Sequence, residues 1–128
     1  MKLLLDTSVL IDVLRKRKGR GKELTELAQA GYMLSTTVLN IAELYSGMRP
    51  GEEVRTEALL SGLQWLDLTA TAARLAGKLK WDWSQKGRTL ALADTIVAAI
   101  AIENQFQLFT DNRRDFPMTE LSLYTPRV

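Results

Sequence analysis

Histidine and cysteine are both absent from this chain of 128 residues. Without cysteine there is no disulfide framework and no thiolate chemistry, which suits a cytoplasmic protein. Without histidine there is no Ser-His-Asp or Cys-His triad, none of the usual zinc sites, and no ribonuclease chemistry run by paired histidines. Acid–base or metal chemistry must then rest on Asp, Glu, Lys or Tyr. Nor does any apolar run approach the roughly 20 residues of a membrane span. The N-terminus reads as a short strand rather than a signal peptide.

The chain is 46% hydrophobic and 25% charged, which suits one domain over 1–128 built round an ordinary core. Its net charge is only +2, but it is unevenly placed. Six basic residues fall in "RKRKGRGK", residues 15–22, with no acid among them; of 17 basic residues that leaves 11 against 15 acidic ones, or −4 elsewhere. Such a run can track phosphates. It also suits a solvated loop, with Gly19 and Gly21 expected to break any helix there.

Short apolar runs alternate with helical patterns along the whole length. "KLLLD", "YMLST", "WLDL" and "FQLFT" read as strands, and "LSLYT" as a last one. Helices are expected in "SVLIDVLRK", with Thr7 or Ser8 as N-cap, and in "KELTELAQAG", "EEVRTEALLSGL" and "TATAARLAGKLKWDWSQKG". Two more fall in "TVLNIAELYSGM", with an apolar face of Val38, Ile41, Ala42 and Tyr45, and in "LALADTIVAAIAIENQ". Nearly continuous apolar strands alternating with helices imply an α/β fold, a parallel sheet covered on both faces. In such folds ligands sit at the carboxyl ends of the strands. Asp6 and Asp111 both fall at such ends.

Four acidic features stand in unusual surroundings. Asp6 follows Leu3, Leu4 and Leu5, and a charge beside a core strand is costly unless compensated. Asp94 and Thr95 are the only polar residues between Ala91 and Ile102, in a helix apolar almost all round and therefore buried. A cap there is disfavoured if the helix starts near Leu90, although a buried ion pair would also suit Asp94. Glu43 shares a helix face with Asn40 and Gly47, and competes with the plain reading of an exposed glutamate. "TDNRRDF", residues 110–116, places Asp111, Asn112 and Asp115 in what is otherwise an ordinary turn. Acids gathered without histidine repel one another, and the natural compensation is a hard divalent cation such as Mg²⁺ or Mn²⁺. Asp6 would then be a metal ligand, with Thr7 and Ser8 supporting it.

"LLLDTSVLID", "NIAELYSG", "LALADTIVAAIA" and "LFTDNRRDF", in that order, resemble the PIN-domain ribonucleases, and more narrowly the VapC-type toxins of toxin–antitoxin pairs. The resemblance runs the length of the chain. It implies a three-layer α/β/α sandwich with a central parallel sheet and a Mg²⁺- or Mn²⁺-dependent endoribonuclease site. Asp6, Glu43 and Asp94 match the three standard acids, with Asp6 and Asp94 the direct metal ligands. Where many members carry a fourth aspartate, this chain has Asn112; the variant pattern points to Asp115 rather than Asp111, with Thr110 and Asn112 as neighbours. The resemblance also implies a small VapB-type antitoxin whose tail blocks the acidic cleft, and a homodimer.

The expected chemistry is metal-assisted hydrolysis of an RNA phosphodiester, leaving a 5′-phosphate. Arg15, Lys16, Arg17, Lys18, Arg113 and Arg114 are the candidates for bringing a polyanion to a negative cleft. A Mg²⁺-binding receiver module is the competing fold-level reading. It would want an acidic pair after the first strand and a late lysine, and this chain has neither. A DNA-directed nuclease of the same superfamily stays open.

Overall fold

A computed structural model describes residues 1–126. Among these, strands β1 (Lys2–Leu5), β2 (Met33–Thr37), β3 (Gln64–Leu66) and β4 (Gln107–Phe109) form one sheet in the order β3-β2-β1-β4. Every neighbouring pair is parallel, with Leu3 opposite both Leu34 and Gln107. The helices are α1 (Thr7–Leu14), α2 (Arg20–Gln29), α3 (Val38–Ser46), α4 (Glu53–Ser61), α5 (Ala70–Gln85) and α6 (Leu92–Asn104). A short 3₁₀ turn spans Arg113–Asp115.

Alternation along β1 divides the core in two. Leu3 and Leu5 face one side, where they pack with Val9, Leu10, Leu24, Leu44, Leu60 and Phe109. Leu4 faces the other, with Leu108, Ala72, Leu79 and the inner face of α6. All three leucines are fully buried, and each such side chain contributes roughly 1.5–3 kcal/mol. The result is the three-layer sandwich expected. β2 carries polar residues inside it. Ser35 and Thr36 are buried, and their hydroxyls donate to the carbonyls of Leu3 and Leu5 at 3.2 and 3.1 Å, so neither is left unsatisfied.

Local details depart from the sequence expectations at five points. Thr7 and Ser8 do not cap α1. Asp6 holds the N-cap position and Thr7 is already helical, because β1 ends at Leu5 and leaves one residue for the turn. Gly21 does not break a helix. Gly19 turns the chain in a left-handed conformation (φ 63°) and α2 starts at Arg20, so Gly21 falls in its first turn, where the backbone amides need no helical partner. On α3, Val38 and Ala42 are exposed while Leu44 and Asn40 are buried, since the helix is rotated to deliver Asn40 to Asp6. α6 begins at Leu92, so Asp94 lies in its first turn after all. "LSLYT" forms a single parallel bridge, Leu123 to Leu108, rather than a strand. β4 is only three residues long and offers one rung, while Leu121 turns into the core.

Candidate active site

β1 is a central strand with β2 on one side and β4 on the other. Its carboxyl end is therefore where the connections diverge, the usual crevice of a parallel sheet. Asp6 stands there, directly after Leu5, its amide donating to the carbonyl of Phe109 at 3.0 Å. Thr37 closes β2 and Thr110 follows β4 at the same edge.

Hydrogen bonds fix Asp6 from both sides. Asn40 Nδ2 donates to its Oδ1 at 3.1 Å, and Thr110 Oγ1 donates to its Oδ2 at 2.7 Å. Asn40 is itself completely buried. Thr37 Oγ1 donates to Asn40 Oδ1 at 2.7 Å and accepts from the Asn40 amide at 3.0 Å, which sets the amide orientation and caps α3. Thr37 was not singled out from sequence, although a threonine three residues before a polar helical residue is the spacing of a reciprocal cap. Asn40 Nδ2 also reaches Thr7 Oγ1 at 2.9 Å, and Thr7 Oγ1 donates to Glu43 Oε1 at 3.0 Å. Glu43 is exposed yet tied into this chain of hydrogen bonds. The Asn112 amide donates to Thr110 Oγ1 at 3.0 Å, so Asn112 contributes its backbone. Ser8 Oγ accepts from the Asp111 amide at 3.3 Å. Ser8 thus holds the loop rather than Asp6.

Asp94 and Asp115 complete the acidic group. Burial first, then the charges of Asp115, Asp6 and Glu43, push the Asp94 carboxyl up to about 6. Its place in the first turn of α6 works the other way, since the helix dipole favours an anion there, but burial and the like charges prevail. Burial also raises Asp6, with Asp115 adding to the rise; bonds from Thr110, the Thr7 amide and Asn40 offset part of it. Asp115, at the end of the 3₁₀ turn, thus lies close enough for its charge to act on both acids. No ion pair to Asp94 is present among the described residues.

Asp111 belongs to a different construction. Its Oδ1 lies 2.5 Å from Arg20 Nη2 and its Oδ2 lies 2.9 Å from Lys18 Nζ. Burial alone would raise its pKa, but the Lys18 hydrogen bond and the Arg20 charge outweigh it and hold the carboxyl below the usual range. Arg20 is buried. It also binds Glu23 at 3.0 Å, faces Asp12 at 3.6 Å and stacks over Phe109 at 4.8 Å from the ring centroid. This pairing of residues far apart in sequence left no mark in the sequence pattern.

The basic candidates separate in the same way. Lys18 pairs with Asp111 and Asp12. Arg15 faces Glu52 at 4.0 Å. Arg113 donates to the carbonyl of Tyr124 at 3.1 Å, and the Arg114 carbonyl accepts from Arg88. Lys16, Arg17, Arg113 and Arg114 are exposed. The geometry thus gathers Asp6, Glu43, Asp94 and Asp115 at one sheet edge and sets Asp111 aside.

A family model described as the PIN domain matches residues 3–120. The chain is 33% identical over 115 residues to ribonuclease VapC19 of Mycobacterium tuberculosis, covering 90% of this chain and 92% of that protein. It is 32% identical to ribonuclease VapC10 of the same organism, covering 92% and 88%. Among solved structures it is similar to VapBC2 of Rickettsia felis bound to a promoter DNA fragment, at 23% identity, with a TM-score of 0.87 over 97% of this chain and 98% of that one. Matched along nearly its whole length, with its acids gathered at the sheet edge, the chain belongs to the PIN-domain family and to the VapC group within it.

Proposed function

We propose that the chain is a metal-dependent endoribonuclease, the toxin of a VapBC-type pair. The observation that carries this reading is the gathering of four carboxylates at the carboxyl edge of a parallel sheet. Asp6 is held there by neutral donors, and no cation pairs with Asp94 among the described residues. The ribonuclease names of the relatives support the substrate class.

The donor set fits a hard divalent ion. It offers carboxylate oxygens only, and the bonds from Asn40, Thr110 and the Thr7 amide leave one of the four Asp6 acceptor sites open. Ligating carboxylates are usually oriented by such outer hydrogen bonds. Among the described residues no three acidic side chains already meet in a coordinating geometry. Asp6 and Asp94 are the residues that would hold Mg²⁺ or Mn²⁺. The ion would supply Lewis-acid stabilisation of phosphate oxygens and a more acidic water.

The protein's own part is positional. Asn40 and Thr110 keep Asp6 fixed, Thr7 orients Glu43, and the Arg20–Asp111 pair anchors the loop that carries Asp115. Glu43 and Asp115 flank the site as the groups able to orient water or take up its proton. Cations outside the cluster, Lys16, Arg17, Arg113 and Arg114 among them, bring the polyanion in. A VapB-type antitoxin would cover this acidic cleft with a basic segment, in line with the VapBC composition of the structural neighbours. A homodimer and a cytoplasmic location belong to the same proposal; among the described residues no helix is long and apolar enough to cross a membrane.

Product-end analysis tests the reading. Cleavage of RNA in Mg²⁺ or Mn²⁺ should give 5′-phosphate and 3′-hydroxyl ends and stop in EDTA. Cleavage that survives EDTA, or 2′,3′-cyclic phosphate ends, would rule it out.

A further inference from the structure

The C-terminal end of α1 faces the loop before α4 across an open pocket of about 370 Å³. Arg15, Lys16, Arg49 and Arg55 line it, with Glu52 as its one carboxylate. Glu52 is buried. Its Oε1 accepts from the Arg49 amide at 2.7 Å, and its Oε2 faces Arg15 Nε at 4.0 Å. One carboxylate thus fixes the backbone of one arginine and the side chain of another, and the lining keeps a net charge of +3. Lys16 adopts a left-handed backbone (φ 53°), which is uncommon outside glycine, asparagine and aspartate and carries some strain.

Four cations round a shared opening repel one another unless an anion joins them. A phosphodiester is the anion that the nuclease reading already supplies, and arginine binds it through paired N–H groups. We propose that this pocket is a second RNA contact, holding backbone phosphates of the substrate away from the cleaved bond; this rests on the nuclease reading of the acidic site. Asp6 stands at the N-cap of α1 and Arg15 at its C-cap. The pocket therefore lies roughly 13 Å from the acids along the helix at about 1.5 Å per residue. That is about four nucleotides of a stacked strand at roughly 3.4 Å each. The pocket also separates the basic run functionally: Lys18 and Arg20 brace Asp111, while Arg15 and Lys16 face the substrate path.

The test compares three full-length proteins: the parent, Arg49→Gln/Arg55→Gln, and Arg74→Gln/Lys78→Gln. The last makes the same charge change on exposed positions of α5, across the sheet from α1. The readout is kcat/KM for a single-stranded RNA at several KCl concentrations, with melting curves to confirm folding. The pocket variant should show a log–log salt slope shallower by about 1.4, at roughly 0.7 per lost phosphate contact, and a raised KM. Arg55→Gln alone should give about half that change in slope. The α5 variant should match the parent. Trimming the RNA below about four nucleotides on one side of the cut should erase the difference between the pocket variant and the parent. An unchanged slope in both pocket variants, with the parent cleaving normally, overturns the second contact and leaves the nuclease reading intact. A parent that cleaves no RNA overturns both.

Discussion

Arg20 Nη2 and Asp111 Oδ1 lie 2.5 Å apart, although 91 positions separate them in the chain. The pair joins the start of α2 to the loop after β4 and removes Asp111 from the acidic cluster. Asp115, on the same loop, is left as the acid whose charge acts on Asp6 and Asp94. One loop thus carries two acids with opposite surroundings, one neutralised by cations and one facing other carboxylates.

Cleavage should separate these two. Asp115→Asn should lower kcat at least ~100-fold, in the range for loss of a general acid or base. Asp111→Asn should keep cleavage within about tenfold of the parent and lose stability instead, because buried Arg20 loses its shortest ion pair and keeps only Glu23 and Asp12. Arg20→Met should cost about 3 kcal/mol in chemical denaturation, because it takes the buried guanidinium away from the buried Asp12 carboxylate and from Asp111. Activity that vanishes in Asp111→Asn and survives in Asp115→Asn would reverse the assignment.

Asn40→Ala should weaken divalent-ion binding without removing any acid. It deletes the donor to Asp6 Oδ1 and to Thr7, and so loosens Asp6 and Glu43 together. Loss of such a supporting bond lowers metal affinity about 10–100-fold. Calorimetric titration with Mn²⁺ reads this directly. Affinity equal to the parent's would mean that Asp6 needs no such support.

These two sites show what sequence carries and what it does not. Asp6 and Asp94 stand out in the sequence because each is a lone charge in an apolar run. The parallel sheet was legible because its strands are short and continuously apolar. The role of Arg20 was not, because a buried arginine inside a basic run looks like its solvated neighbours until the fold brings Asp111 to it. The N-cap of α1 is ambiguous in the sequence because hydroxyl residues follow Asp6 directly, and only the end of β1 shows which residue makes the turn. The last strand shrinks to one bridge because alternation in "LSLYT" says nothing of how short its partner β4 is.

The stability of the metal-free protein should carry the signature of Asp94. Its pKa is about 6 in the fold against 3.8 for an unperturbed aspartate. Between those values the folded state binds the proton more tightly than the unfolded one. This group therefore favours folding more as pH falls from about 6 to about 4, and less as pH rises through 6. In EDTA, Asp94→Asn should melt above the parent at about pH 7.5, and the gap should close towards about pH 4. A gap that is negative at the higher pH would mark Asp94 as a partner in a structural ion pair.

A divalent cation is proposed to complete the cluster of Asp6, Glu43, Asp94 and Asp115. The most direct measurement is the shift in melting temperature on adding Mg²⁺ to the parent, to Asp94→Asn and to Asp67→Asn, which changes an exposed acid after β3. An ion at about 100 times its dissociation constant stabilises the folded state by roughly 2.7 kcal/mol. Mg²⁺ should shift the parent and Asp67→Asn clearly upward, and Asp94→Asn little or not at all. Equal shifts in all three proteins, or none in the parent, would contradict this.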